Sequence, residues 1–117
     1  MESTNLLDLI DEQVALAGRG DSSGRSAKTL HGGRDNALRQ TLVVMLEGHR
    51  MDEHESPGEA TLLVLTGRLA IQLAGRTIDA GEGDFIVLPR DRHSVDAVAD
   101  SAFLLTVIKP VGHGYSA

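Results

Sequence analysis

The sequence contains no cysteine and no tryptophan among its 117 residues. Without cysteine there is no disulfide framework, no thiolate ligand for zinc and no thiol nucleophile. Aromatic residues make up only 3% of the chain, and they are Phe85, Phe103 and Tyr115. This scarcity disfavours base stacking on an aromatic platform, and it also argues against a pocket built to stack on sugars or flat heterocycles.

Basic residues and long apolar runs are scarce as well. Eleven Lys and Arg residues stand against 17 Asp and Glu residues, which gives a net charge of −6. Because the basic residues do not cluster in the sequence, we expect no binding to nucleic acid or to anionic membranes. No apolar run approaches the ~18 residues that span a bilayer, and the acidic N-terminal segment lacks the basic start of a signal peptide. We therefore expect a soluble cytoplasmic protein.

Length and local composition divide the chain into three parts. A chain of this size suffices for one domain with one core and is too short for two. Residues 18–26 are rich in Gly, Ser and charge, which is typical of a flexible connector. We expect a helix and linker over residues 1–24, one β-domain over residues 25–110 and a C-terminal tail over residues 111–117.

The N-terminal part has the pattern of one amphipathic helix. Apolar residues recur at intervals of three and four between residues 3 and 17, which is the period of a helix with one buried face. Gly18 follows the last apolar position and would end the helix. The expected N-cap is Ser3, Thr4 or Asn5, and the expected buried face consists of Leu7, Ile10, Val14 and Ala17.

From residue 27 onward the pattern changes to short extended runs separated by Gly, Pro, Asn or Asp. No segment is long enough for a crossover helix, so parallel βαβ units are excluded. Short strands at nearly regular spacing predict an all-β sandwich or barrel. The predicted strands span residues 27–31, 38–47, 61–65, 69–73, 76–78, 85–88, 93–97 and 103–109.

Two of the predicted strands, residues 62–65 and 104–108, carry apolar side chains on both faces. Strands of this kind must be covered on the outside of a barrel as well as on the inside. The N-terminal helix can cover only one patch of such a surface. We therefore expect that a second copy of the chain covers the rest, so that the protein is a homodimer.

Two blocks of sequence each combine a histidine, an apolar strand and a glycine-containing turn. The first block begins with His54 and reads HESPGEATLLVLTG. The second reads GEGDFIVLPRDRH, has the same parts in reverse order and ends with His93. Within it, Asp84 follows Gly83 and is expected to order a tight turn by accepting hydrogen bonds from nearby backbone amides.

These blocks resemble the two motifs of small single-domain cupins, and most of all a bacterial subgroup of uncharacterised, RmlC-like stand-alone cupins. In the second motif Gly83, Asp84, Pro89 and His93 all match, whereas Ala97 stands where the full motif has asparagine. The resemblance implies an all-β fold, the cupin double-stranded β-helix or jelly-roll barrel, with a short N-terminal α-helix.

The first motif departs from the family pattern. The resemblance places His54 on the first of two ligand histidines, but Ser56 on the second and Ala60 on the ligand glutamate. A complete cupin centre uses three histidines and a carboxylate and holds Fe, Mn, Ni or Zn. With only His54 and His93 retained, a divalent metal would need a further ligand. The candidates for that ligand are His49 and Glu59.

Each of these candidates has a condition attached. Glu59 precedes Ala60, and since side chains alternate along a strand, Glu59 faces away from the barrel mouth unless a β-bulge intervenes. His49 reaches the mouth only if the chain doubles back. A second interpretation needs no metal: His54 and His93 are neutral pocket residues, each of which donates one ring proton to a backbone carbonyl.

Three functions remain open, because cupins carry unrelated activities on one fold. The first is binding of a small organic ligand in a barrel mouth lined by His54, His93 and aliphatic side chains. The second is a metal-dependent dioxygenase, isomerase or lyase in which the same histidines hold the ion. The third is a structural or regulatory protein that acts through its dimer face.

Overall fold

The computed structural model describes residues 2–20, 23–54 and 58–108, with the backbone alone for residues 53 and 54. These residues form one helix followed by antiparallel strands. The elements are α1 (Leu6–Ala17), β1 (Arg25–His31), β2 (Leu38–Met45), β3 (Arg50–His54), β4 (Glu59–Thr66), β5 (Arg68–Leu73), β6 (Arg76–Gly81), β7 (Phe85–Leu88), β8 (His93–Ala97) and β9 (Ser101–Ile108).

The described strands form two sheets that pack face to face. The five-stranded sheet has the order β1-β2-β9-β4-β7, and the four-stranded sheet has the order β3-β8-β5-β6. Every described strand pair is antiparallel. The prediction of an all-β jelly-roll barrel with a short N-terminal helix is therefore confirmed.

The core lies between the two sheets and follows the period of two expected for strands. Leu69 and Ile71 of β5 are fully buried, while the intervening residues of that strand face outward. From the opposite sheet, Leu62, Val64 and Phe103 belong to the same apolar cluster. Each such side chain contributes roughly 1.5–3 kcal/mol by leaving water, so this cluster is the main source of the barrel's stability.

The ends of the predicted helix are confirmed, but its predicted buried face is partly wrong. The side chain of Asn5 accepts a hydrogen bond from the backbone N–H of Asp8 at 3.0 Å, and Gly18 forms the C-cap. Leu7 is 72% exposed and Val14 is 38% exposed. Ile10 and Ala17 are buried as predicted, and the third buried residue of the helix is Gln13.

Gln13 explains this rotation of the helix. The hydroxyl of Ser26 on β1 lies 2.8 Å from the Oε1 atom of Gln13 and 2.8 Å from its backbone carbonyl oxygen. A buried amide is tolerated when it is hydrogen-bonded. Gln13 therefore packs against the sheet, and Leu7 and Val14 turn toward the outside.

Strand β3 was not predicted from the sequence. Its residues read RMDEH, with only one apolar side chain, so they lack the alternation that identifies a half-buried strand. The strand forms because it pairs with β8, where Arg50 lies opposite Asp96 and Met51 lies opposite Val95. Tertiary pairing, and not the residues' own preference, makes this segment extended.

Helix α1 covers one half of the outer face of the five-stranded sheet. There Ile10 and Ala17 pack with Leu42, Val44 and Ala102 in a second apolar cluster. The other half of the same face is not covered by any described residue, since Phe85, Val87 and Ile108 are large apolar residues that remain exposed. The helix thus covers only one patch, as the sequence indicated.

The predicted boundaries near residues 24 and 110 stay predictions. The predicted tail, residues 111–117, lies outside the described residues, as do residues 21–22 of the predicted linker. Among the described residues, no helix has the length and the apolar character needed to cross a membrane.

Gly67 forms the tight turn between β4 and β5, where two backbone segments pass close together. Its φ is +86°, a conformation that residues with a Cβ atom rarely adopt. A Cβ atom at this position would overlap the carbonyl oxygen of Asp100 and the side chain of Ser101. The Ser101 hydroxyl in turn accepts a hydrogen bond from the backbone N–H of Arg68 at 2.9 Å. The turn therefore requires glycine for two separate reasons.

We predict that Gly67→Ala destabilises the protein more than Gly75→Ala. Gly75 also has a positive φ, +80°, but nothing lies within 4 Å of its Cβ position, so its substitution costs only backbone strain, of order 1–3 kcal/mol. Gly67→Ala adds a steric overlap with backbone atoms that cannot move cheaply. Urea unfolding of both variants measures the difference, and equal losses of stability would contradict the close approach at Gly67.

Candidate functional site

His93 is the first residue of β8, and its side chain faces the barrel interior. It alternates with Val95 and Ala97, which belong to the core cluster, and it is only 1% exposed. Its Nδ1 atom lies 2.9 Å from the backbone carbonyl oxygen of Asp91. Because a carbonyl oxygen can only accept, Nδ1 carries a proton in this contact. The loop before β8 thus fixes the orientation of a buried imidazole.

Strand β3 brings the backbone of His54 directly opposite His93. The two residues are partners in the antiparallel pairing of β3 with β8, beyond an irregularity between Met51 and His54. Partners in such a ladder have Cα atoms about 4.5–5.5 Å apart. The side chain of His54 lies outside the described part of the chain, and its role as a pocket residue or a metal ligand stays a prediction.

An ion pair on the outer face of the sheet fastens β3 to β8. The Nε atom of Arg50 lies 2.7 Å from Oδ1 of Asp96, and the Nε2 atom of Gln72 donates to Oδ2 of Asp96 at 3.2 Å. The Arg50 hydrogen bond lowers the pKa of Asp96 from its ordinary value of 3.8, and the Gln72 hydrogen bond acts in the same direction against partial burial. This contact holds one end of the β3–β8 pairing, and the irregularity between Met51 and His54 then places position 54 opposite His93.

The structure does not bring His49 to the same end of the barrel. Its backbone carbonyl accepts a hydrogen bond from the N–H of Ala97 at 2.9 Å, which places it at the opposite end of β8 from His93. Four residues of extended chain separate these ends, a distance of about 13 Å at roughly 3.3 Å per residue. The ring of His49 is exposed and lies against Gly24.

Glu59 is also kept apart from His93, because it faces outward. It is the first residue of β4 and pairs with Ile108, and the pairing continues without a register shift from Glu59 to Val64. The next residue, Ala60, is 3% exposed and belongs to the core. No β-bulge interrupts the strand between Glu59 and Ala60, so the two side chains lie on opposite faces and Glu59 points away from the barrel mouth.

The described side chains do not fit the metal centre that the cupin resemblance implies. A centre holding Fe, Mn, Ni or Zn needs at least three protein ligands arranged around one point. Over residues 2–20, 23–52 and 58–108, no group of three His, Asp or Glu side chains is placed to hold an ion. At the position of the family's glutamate, the methyl group of Ala60 packs in the apolar core. We therefore assign no metal-dependent step to these side chains.

Two open cavities lie at the His93 end of the barrel. The larger has a volume of about 680 Å³, and the smaller has a volume of about 470 Å³. The larger is lined by Gln72, Leu73, Ala74, Arg76, Pro89, Arg90, Asp91 and Arg92. The smaller is lined by Glu59, Ala60, Thr61, Val87, Leu88, Arg90, Thr106 and Ile108.

Basic residues that do not cluster in the sequence meet at the larger cavity. The β5–β6 hairpin contributes Arg76, and the β7–β8 loop contributes Arg90 and Arg92. Arg76 is distant in sequence from Arg90 and Arg92, and it joins them at the cavity because the two turns lie at one end of the barrel. The signal available in the sequence was the RDR triplet immediately before His93.

The Gly-Asp turn of the second motif is formed as the sequence indicated. The backbone N–H of Gly81 donates to Oδ2 of Asp84 at 2.8 Å. Gly83 has a φ of +85°, and its N–H donates to the carbonyl oxygen of Val64 at 2.8 Å. The turn therefore connects the start of β7 to β4, and it leads the chain toward Pro89 and His93.

The sequence matches the family model described as a cupin domain over residues 41–109. This match covers more than half of the chain and agrees with the jelly-roll fold and with the positions of the two motifs. The protein belongs to the cupin family. Among the curated proteins, none matches this sequence.

Several solved structures are similar to this chain. A conserved protein of unknown function from Streptococcus pyogenes has 29% identity and a TM-score of 0.74, with 96% of this chain and 93% of that chain covered. An RmlC-like cupin protein from Desulfovibrio desulfuricans has 26% identity and a TM-score of 0.72, covering 95% and 99%. A salicylate 1,2-dioxygenase from Pseudoaminobacter salicylatoxidans, in complex with gentisate, has 17% identity and a TM-score of 0.73, covering 86% and 32%. This last similarity shows the fold alone.

We predict that the Arg50–Asp96 pair makes stability depend on acid pH. The pKa of Asp96 is lower in the folded state than in the unfolded state. The ionised carboxylate therefore stabilises the fold fully at pH values above its unfolded-state pKa, and this stabilisation is lost as the pH falls through its folded-state pKa. Urea unfolding measures this effect between about pH 5 and pH 2. Over that range the free energy of unfolding should fall less for Asp96→Asn than for the wild type, by up to about 1 kcal/mol.

Arg50→Gln removes the other partner and should flatten the same decline. If the free energy of unfolding of Asp96→Asn follows the wild-type curve throughout this pH range, the Arg50–Asp96 pair is not a source of the acid dependence.

Proposed function

We propose that this cupin binds a small organic molecule at the interior end of the barrel where His93 and His54 are paired. The observation that carries the proposal is the buried His93 ring with its Nδ1–H donated to the carbonyl oxygen of Asp91. This contact fixes the orientation of the ring, and an oriented polar group in apolar surroundings is typical of sites that bind small organic molecules.

The surroundings of this imidazole favour a ligand with an apolar body. Ala60, Leu88 and Val95 belong to the core cluster that extends to this end of the barrel. Because Ala60 replaces the carboxylate of the family motif, a negative charge is missing from the interior. A largely uncharged ligand suits such a wall better than a cation does, since burying an unpaired charge is costly.

The alternative is a metal-dependent cupin enzyme, a dioxygenase, isomerase or lyase that uses His54 and His93 as ligands. The tautomer of His93 is the feature that favours it, because ligand histidines commonly donate their second ring N–H to a backbone carbonyl or carboxylate. The described side chains supply no group of three ligands, and for this reason we place binding first.

The homodimer expected from the sequence is part of the proposal, and its interface is the uncovered half of the five-stranded sheet. Phe85 and Val87 are 63% and 72% exposed on β7, a terminal strand of that sheet. Beside Val87, the smaller cavity carries Glu59 and Arg90. A two-fold interface joins the same patch on both copies, so a patch with both signs of charge is complementary to itself.

We predict that the purified protein carries no stoichiometric Fe, Mn, Ni or Zn, and that an uncharged organic ligand stabilises it through His93. Elemental analysis tests the first part, and a thermal-shift screen of small alcohols and amides tests the second. A ligand at a hundred times its Kd adds about 2.7 kcal/mol to the free energy of unfolding. His93→Leu should abolish the shift, whereas the exposed control His31→Gln should keep it.

Two results would count against ligand binding as the function. One metal ion per chain that is lost in His93→Leu would favour the enzyme. Absence of any stabilising ligand, together with a stable dimer, would favour a structural or regulatory role through the dimer face.

We predict that Val87→Asp converts the dimer into a monomer. A carboxylate in the middle of the apolar patch must lose its hydration when two copies associate. We expect this desolvation free energy to exceed the favourable free energy of the interface. Sedimentation velocity measures the mass directly. Val98→Asp is the matched control, because Val98 is also exposed but lies beyond β8 at the other end of the barrel. A monomeric wild type, or a dimeric Val87→Asp, would rule out this interface.

A further inference from the structure

The larger cavity lies at a corner of the barrel and is distinct from the interior position of His93. One wall is the β5–β6 hairpin with Leu73, Ala74 and Arg76, and the other is the β7–β8 loop over residues 89–92. Its volume of about 680 Å³ falls within the range of roughly 300–1,000 Å³ that small-molecule sites occupy. The corner therefore has room for a molecule of its own.

The charge of this corner is opposite to that of the whole chain. Three arginines line the cavity against a single acidic residue, Asp91, although the chain as a whole carries −6. Arg50 forms an ion pair with Asp96, and Arg68 forms one with Asp79. Neither involves Arg76 or Arg90. Like charges held near one another favour an anion between them.

The remaining lining is apolar or has its polar atoms engaged elsewhere. Leu73, Ala74 and Pro89 supply apolar surface. Gln72 accepts a hydrogen bond from the Thr77 hydroxyl at 2.7 Å and donates to Asp96 at 3.2 Å. The site thus offers guanidinium groups for one end of a ligand and an apolar wall for the other.

We propose that this corner binds a small organic oxyanion, a carboxylate or a phosphate ester, through Arg76 and Arg90, with its apolar part against Leu73 and Pro89. The planar guanidinium group matches carboxylate and phosphate oxygens in a bidentate arrangement, which fixes orientation as well as charge. The inference does not rest on the interior ligand proposed above. The two sites share only the β7–β8 loop, since the backbone of Asp91 holds His93.

The test uses the full chain labelled with ¹⁵N, titrated with sodium benzoate and with sodium phosphate at constant ionic strength. Benzamide, which has the shape of benzoate without its charge, is the matched probe. The backbone amides of Ala74, Arg76 and Arg92 are expected to shift and saturate with at least one anion and not with benzamide. Arg76→Gln and Arg90→Gln should each raise the Kd at least about tenfold.

Arg34→Gln removes the same charge from the exposed β1–β2 connection and is expected to leave the Kd unchanged. Saturation by benzoate supports a carboxylate, and saturation by phosphate alone supports a phosphate ester. Failure of both anions to saturate, an equal response to benzamide, or an equal loss in Arg34→Gln would overturn the proposal. Anion binding that is lost in His93→Leu but kept in both arginine variants would assign the anion to the barrel interior instead, and would overturn the corner site alone.

Discussion

The pairing of β8 with strands on both of its sides is the constraint on which the candidate site depends. On one side β5 sets which residues of β8 face the core. On the other side β3 is held by the Arg50–Asp96 contact and shifts its register by one residue before His54. His93 is inside the barrel because Val95 and Ala97 are inside. A slip of one residue would turn the imidazole outward and point Ser94 and Asp96 into the core in its place.

The substitution of a carboxylate position by Ala60 changes what the barrel interior favours. In the family pattern this position would bring a charge to the mouth, but here a methyl group packs with Leu88 and Val95 in the core. His93 is buried at the same end of the barrel, and its Nδ1–H is donated to the carbonyl oxygen of Asp91. An oriented polar group in largely apolar surroundings is the feature on which the proposed binding site rests.

The outside of the same end of the barrel has a different chemistry. Arg76 and Arg90 make one corner cationic, while Val87 and Ile108 make the neighbouring sheet face apolar. Arg90 lines both cavities and stands between these two surfaces. One short loop therefore borders the buried imidazole, the cationic corner and the uncovered sheet face.

The sequence by itself determined the all-β class and most of the strands, because apolar alternation and glycine turns act locally. The pattern of β5, the Asp84 turn and the helix ends at Asn5 and Gly18 all follow from neighbouring residues. The jelly-roll arrangement was implied by the resemblance of the two motifs to those of cupins. Only the tertiary structure decided the rest. Strand β3 exists because β8 pairs with it, and Gln13 is buried because Ser26 satisfies its amide. The separation of His49 and Glu59 from His93, and the gathering of the arginines, depend on which strand ends meet in space. That is a matter of long-range pairing, which no local pattern specifies.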